Sequence, residues 1–325
     1  MQAQPVNAGR TAALVVTGVI AAFAARFVPV VGVPLAAMAL ASLAGSGQVA
    51  LAVVTALAGA AAASWTDPYA AVFVVPALLL AGPGVVAAAR RWPPVRVMLV
   101  LTGALFAASV ASDALSFAAQ GTSIVAQSAE AASQVVKVFG EALATTGDAA
   151  TVKVMQAEIA SLGKLVAMMW PSSYFETAAL TAVLAVIAAT RAAAARGAQV
   201  NLPPRLAEVD LSVHFVWPVA VGLLLLAASP VVDTDSRIVL AAGANLLVAA
   251  RLAFLVQGMG VASSTMRKMG IGGPGRVIGS VMLLVADFLT YAVSVVGLAD
   301  MWMNFRRLPR ESGRHGGPEV SEEAS

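Results

Sequence analysis

The run "NLLVAARLAFLVQG", Asn245 to Gly258, carries one arginine, Arg251, among apolar residues. A guanidinium keeps its proton, so at mid-membrane it is costly unless water or a counter-charge meets it. Asp287, in the following run "VMLLVADFLTYAVSVV", is the carboxylate best placed to do so. The two runs are sequential neighbours joined by a short loop, so they can pack antiparallel. Counted from that loop, Arg251 and Asp287 differ in level by roughly 6 Å along the helix axes. A snorkelling arginine stem spans that distance, and bidentate pairing with the carboxylate offsets part of the burial cost. Ser280, Asp287, Thr290, Tyr291 and Ser294 fall on one stripe at helical spacing and should face a bundle interior. On the other run Asn245, Arg251 and Gln257 stand about 120° apart, so that helix meets polar groups on several sides. Arg251, Asp287, Asn245, Gln257, Tyr291 and Ser294 form the candidate intramembrane polar site. Two readings stay open: an ion pair that locks two helices, or a site that faces a substrate or ion, the default reading for ionisable groups at this depth.

Other chemistry finds little support. The chain has no cysteine, which excludes disulfides, thiolate metal sites and a cysteine nucleophile. His214 lies beside Trp217-Pro218 and reads as interfacial or packed, while His315 stands in the tail. No histidine and carboxylate share metal-ligand spacing. "GIGGPG", Gly270 to Gly275, follows no strand and precedes no Lys-Ser/Thr, so it reads as a loop and not as a phosphate cradle. Basic residues cluster at the ends of apolar runs and not among aromatics, so nucleic acid is not an expected partner. The expectation is a non-enzyme without a cofactor. Asp113 and Glu176 sit near span ends, where both can reach water.

The elements that must position these residues follow from composition. Residues are 59% hydrophobic and 11% charged, with mean hydropathy +0.85, against roughly 25% charged in a soluble domain. The expected fold is an all-α integral membrane bundle of about eight spans. Small-residue patterns such as Ala21-xxx-Ala25 are expected by chance in so alanine-rich a chain. The first span covers about 11–28; Arg10 and the "AFA" triplet would also suit a signal peptide, but the apolar sequence continues. The run from Leu35 to Ser64 is interrupted at Gly45-Ser46-Gly47, giving one kinked span or two short ones. Further spans are expected at about 69–89, 97–118, 172–193, 211–229, 237–265 and 277–302. Residues 119–170 differ: Val152, Met155, Ile159, Leu162, Val166 and Met169 recur on one helical face, as do Val135, Val138, Phe139 and Leu143 less cleanly. Two amphipathic helices are expected, lying on the membrane surface or packing as a hairpin on the protein's own spans. The plan is therefore N-terminal spans 1–118, an insert 119–170, C-terminal spans 171–304 and a charged disordered tail 305–325.

Arginines set the orientation. Arg90, Arg91 and Arg96 fill one loop and Arg191, Arg196 and Arg205 another, while 119–170 contains none. The positive-inside rule places both loops in the cytoplasm and the insert outside. The rule then conflicts with itself. "MRKMGIGGPGR" and "FRRLPR" are both basic, yet a single crossing by 277–302 would put them on opposite sides.

"NLLVAARLAFLVQGMGVASSTMRKMG", an apolar run and then "LADMWMNFRRL" resemble the YybS-like family of uncharacterised bacterial membrane proteins. The likeness rests on the Leu-Val-Gln-Gly-Met-Gly core, Arg267 and Lys268, Gly297-Leu298-Ala299-Asp300, and Phe305-Arg306-Arg307. It covers the C-terminal part closely and the rest only as a pattern of spans. That family's plan is distantly similar to the substrate-binding S components of energy-coupling-factor transporters. These are helical membrane proteins that capture vitamins or metal ions and dock on a shared ATP-driven module. The chain departs from them in its number of spans and in the insert, and no substrate-contacting residue carries over. The resemblance implies a multi-pass protein of the bacterial cytoplasmic (inner) membrane. Its partners would be the lipid bilayer and an ATP-driven energy-coupling module or other membrane proteins. Its function would be a small-molecule transport component. The alternative is a non-transporting membrane scaffold or regulator that binds envelope proteins through its external insert.

Overall fold

The computed structural model describes residues 8–65, 67–144, 149–232 and 237–308. Among them all regular structure is helical, with no strand. The chain divides into two units, residues 1–203 with 217–250, and residues 204–216 with 251–325.

The first unit holds α1 (Ala8–Phe27), α2 (Pro29–Gly45), α3 (Val49–Ala63), α4 (Ala70–Leu79) and α5 (Val85–Ala89). It continues with α6 (Pro94–Ala119), α7 (Ile124–Ala144), α8 (Ala149–Met168), α9 (Trp170–Ala194) and α10 (Val216–Val232). One wide turn, Leu80–Gly84, joins α4 to α5 through Pro83, which has no N–H to give a regular helix. The core is built around α2: Val33, Ala36, Ala37, Leu40, Ala41 and Leu43 are almost fully buried. Facing residues of α9, among them Ala182, Ala185, Val186 and Ala189, are equally buried. Alanine on alanine lets backbones approach closely, which favours association where lipid competes for apolar contact. Ala21 and Ala25 of α1 belong to the same core. Their spacing, expected from chance alone, is used in packing.

Glycine and serine decide the run from Leu35 to Ser64. Gly47 takes φ +86°, a conformation open to glycine at little cost, and the Ser46 hydroxyl donates to Leu43 O. The run becomes two short helices. At 17 and 15 residues these measure about 26 and 22 Å, short of a bilayer core of about 30 Å. The insert forms α7 and α8, which pack on each other: a Cβ added at Gly163 would meet Val136 Cγ2 at 2.5 Å. Val125, Val135, Val138 and Val166 remain exposed, and Met155 partly so. The side chains of Phe139, Leu143, Val152 and Leu162 lie outside the described residues.

The second unit comprises residues 204–216, α11 (Ile238–Lys268) from Arg251 onward, α12 (Gly273–Thr290) and α13 (Ala292–Met303). The expected span 277–302 is not one helix. Tyr291 takes φ 57°, and the chain bends by 100° between α12 and α13. Among the described residues six helices are long and apolar enough to cross a membrane: α1, α4 through α5, α6, α9, Val213–Val232 and α11. The bent pair makes a seventh if it counts as one span. An all-α membrane bundle stands; six or seven described segments have the length and composition of a span, against about eight expected. Two apolar runs account for the difference, one folded into a hairpin and one broken. The tail expected from 305 onward lies outside the described residues after 308.

Candidate functional site

The six residues singled out by sequence go to three places. Arg251, Asp287, Tyr291 and Ser294 form one cluster. Arg251 Nη2 and Nε donate to Asp287 Oδ2 at 3.1 and 3.3 Å, and its guanidinium lies 4.3 Å from the Tyr291 ring centroid. The Ser294 hydroxyl donates to Asp287 Oδ2 at 2.8 Å and its backbone N–H to Oδ1 at 2.7 Å. Asp287 is wholly buried, and both its oxygens are used. The continuous stripe expected over 280–294 is interrupted at Tyr291. Ser294 reaches Asp287 because the chain turns back, so the carboxylate meets the third residue of α13. An N-terminal helix turn has free N–H groups and positive dipole character, which suit an anion. Thr290 is exposed and its hydroxyl donates to Ala286 O.

Asn245 lies in the first unit. Its amide donates to Met168 O at 3.0 Å and its carbonyl accepts the Ser172 N–H at 3.0 Å. It thereby satisfies groups left open where α8 ends and α9 begins, which is a positioning role.

Gln257 belongs to a third cluster, which the sequence reading missed. Its amide nitrogen donates to Asp300 Oδ2 at 2.9 Å and Asp210 Oδ1 at 3.1 Å, and its carbonyl accepts the Leu211 N–H at 3.1 Å. Arg306 donates to Asp300 Oδ2 through Nη2 at 2.8 Å and Nε at 3.0 Å. Its Nη1 donates to the carbonyls of Ala207 and Val209, and Asp210 lies 3.6 Å from Nη2. Gln257 and Asp300 are fully buried and Arg306 nearly so. Two glycines permit this. A Cβ at Gly258 would collide with the Val293 carbonyl, and one at Gly297 with the Phe254 carbonyl, so α13 crosses α11 backbone to backbone. Arg306 had counted only as a topogenic charge and as part of the family resemblance. The available signal was Asn304, a helix-ending residue that tolerates φ > 0. It takes φ 46° and closes a turn with Leu308, bringing Arg306 back to Asp300.

These bonds bear on the conflict between the two basic segments. Two span-length helices, Val213–Val232 and α11, separate Asp210 from Lys268, so both ends should face the same side. Arg306 is bonded to residues 207–210, so α12 and α13 should leave where they entered. With no native cysteine, single cysteines at Gln199 and Arg307 are expected to label from the same side with an impermeant thiol reagent. One at Ser133 should label from the other. If Arg307→Cys labels together with Ser133→Cys, the bent pair crosses.

The first unit contains a cleft of about 470 Å³ between α1, α4, α6 and α9. Its lining includes Arg26, Asp67, Asp113, Tyr174, Phe73 and Phe117 with several serines. The Arg26 guanidinium stands 3.5 Å from Asp67 and donates to Ala63 O at 3.2 Å. The Tyr174 hydroxyl donates to Asp113 Oδ2 at 2.5 Å. Asp113 therefore faces a shared cavity, which its place near a span end had not suggested. Among the described residues no three His, Asp or Glu side chains form a metal-holding group. His214 is exposed. Gly270 to Gly275 spans the loop before α12 and the start of its first turn.

No curated protein and no solved structure matches the chain. A family model described as "Predicted membrane protein" (DUF2232) matches residues 11–301, which takes in the cleft, the Arg251 cluster and all of the Gln257 cluster except Arg306. The chain is a member of this membrane-protein family.

Proposed function

We propose that the protein is a solute-capturing component of a transport system in the bacterial cytoplasmic membrane, with the cleft of the first unit as its solute site. The cleft carries the reading. Its volume of about 470 Å³ lies within the range of roughly 300–1,000 Å³ usual for small-molecule sites. Its lining mixes aromatic rings with a few charged groups. The register of the helices supports an opening away from the cytoplasm. Asp67 precedes α4, Asp113 lies in the second half of α6 and Tyr174 in the first turns of α9. Arg90, Arg91, Arg96 and Arg191 stand at the opposite ends of the same helices. By the positive-inside rule the arginine ends are cytoplasmic. The resemblance to S components adds a shared ATP-driven module as the expected partner.

Purification in mild detergent from native membranes tests this. A membrane protein and a nucleotide-binding ATPase are expected to co-purify, with the insert 119–170 dispensable for their capture. Recovery of the chain without either, and without any bound small molecule, would sink the transport reading. The exposed Val125, Val135 and Val138 of α7 favour the scaffold alternative in that event. It requires instead that deleting the insert abolish partner capture.

A further inference from the structure

The donors and acceptors of the cleft say which solutes it suits. We infer that the cleft binds a small organic cation bearing N–H donors, an ammonium or guanidinium compound, through Asp113. This rests on the reading of the cleft as a solute site.

The side-chain hydroxyls of the lining are mostly spent as donors. Ser109 donates to Leu105 O, Ser112 to Tyr69 O, Ser173 to Met169 O and Thr177 to Ser173 O. The Tyr174 hydroxyl donates to Asp113. Each of these oxygens keeps lone pairs, so such hydroxyls offer the cleft acceptors. Ser116 is the exception: it accepts from Gln120 and keeps its hydrogen.

Charge points the same way. The charged lining residues are one guanidinium, Arg26, and two carboxylates, Asp67 and Asp113. Arg26 and Asp67 face each other, and Asp67 Oδ1 also accepts the Tyr69 N–H. Among the described residues that leaves the charge of Asp113 without a cationic partner. Tyr174 is its hydrogen-bonding partner, on Oδ2 alone, and a carboxylate has about four lone-pair sites. Phe73, Phe117 and Tyr174 line the same space, and aromatic faces attract cations. An anion would find few uncommitted donors and a net negative wall. A neutral polyol would leave the charge of Asp113 unmatched.

The purified full chain in detergent is titrated with three sets of probes. The cations are ethanolamine, 1,4-diaminobutane and agmatine. The anions are acetate and succinate, and the neutral compounds are glycerol and glucose. Binding is read by calorimetry and by the shift in unfolding temperature at constant ionic strength. At least one cation is expected to bind and stabilise, with no response to the anions. Asp113→Asn, nearly isosteric, should weaken that cation by about tenfold to a hundredfold, the loss of one charge-assisted contact. Arg307→Ala, at an exposed position in the other unit, should leave its affinity unchanged. Binding of anions or neutral compounds without cations would overturn the inference and leave a solute site standing. No binding by any probe would overturn both. Cation binding unaffected by Asp113→Asn would overturn the assignment to this cleft.

Discussion

Arg306→Ala is expected to destabilise the protein by about 3–5 kcal/mol, the usual cost of removing one partner from a buried pair. The side chain is 2% exposed and that of Asp300 is wholly buried. The substitution removes two bonds to Asp300 and those to the carbonyls of Ala207 and Val209. Gln257 still donates to Asp300, but a neutral amide does not cancel the charge. Arg306→Lys should recover little, because an ammonium cannot reproduce the planar fork that meets a carboxylate and two carbonyls at once. Arg307→Ala, next in sequence and exposed, is the control and should change stability by no more than about 0.5 kcal/mol. Thermal or denaturant unfolding in a fixed detergent measures all three. Equal, small losses for Arg306→Ala and Arg307→Ala would show that the buried cluster does not form.

The second large effect concerns Arg251 and Asp287, and its diagnostic is a difference between variants. Arg251→Ala leaves Asp287 buried but still held by two donors of Ser294, so the loss should fall toward the lower end of about 3–5 kcal/mol. Asp287→Ala should cost more. It removes the carboxylate that pairs with Arg251, whose side chain is 14% exposed, and it also removes the acceptor at the first turn of α13. The double variant should lose less than the sum of the two, since no unpaired charge remains. The shortfall measures the pair. Strict additivity would mean that the residues do not interact, and would return Arg251 to a water-filled surrounding and a substrate-facing role.

The sequence by itself determined the class of the molecule and the partner of its central arginine. Both rest on costs paid locally. So apolar a chain cannot stay in water, and a guanidinium in hydrocarbon demands a counter-charge. Only one acid, Asp287, lies within the adjoining apolar run before its last residues, so pattern and chemistry agreed. Periodicity also marked the insert at 119–170, where polar and apolar faces differ. Where every face of a helix is apolar, the same reasoning has nothing to read. α2 and a true span look alike in hydropathy, and only packing against α9 shows that α2 is a short core helix. The break at Tyr291 carries neither glycine nor proline. The chain bends there because Asp287 holds both Arg251 and the start of α13, a gain that appears only once three segments meet. The cleft and the Arg306 cluster belong to tertiary structure for the same reason. Asp67, Asp113 and Tyr174, like Asp210, Gln257 and Asp300, come from separate elements. All but Gln257 could sit at a span end in water, and no local cost required them to find one another; Gln257 lay inside an apolar run, but nothing in the pattern named its partners.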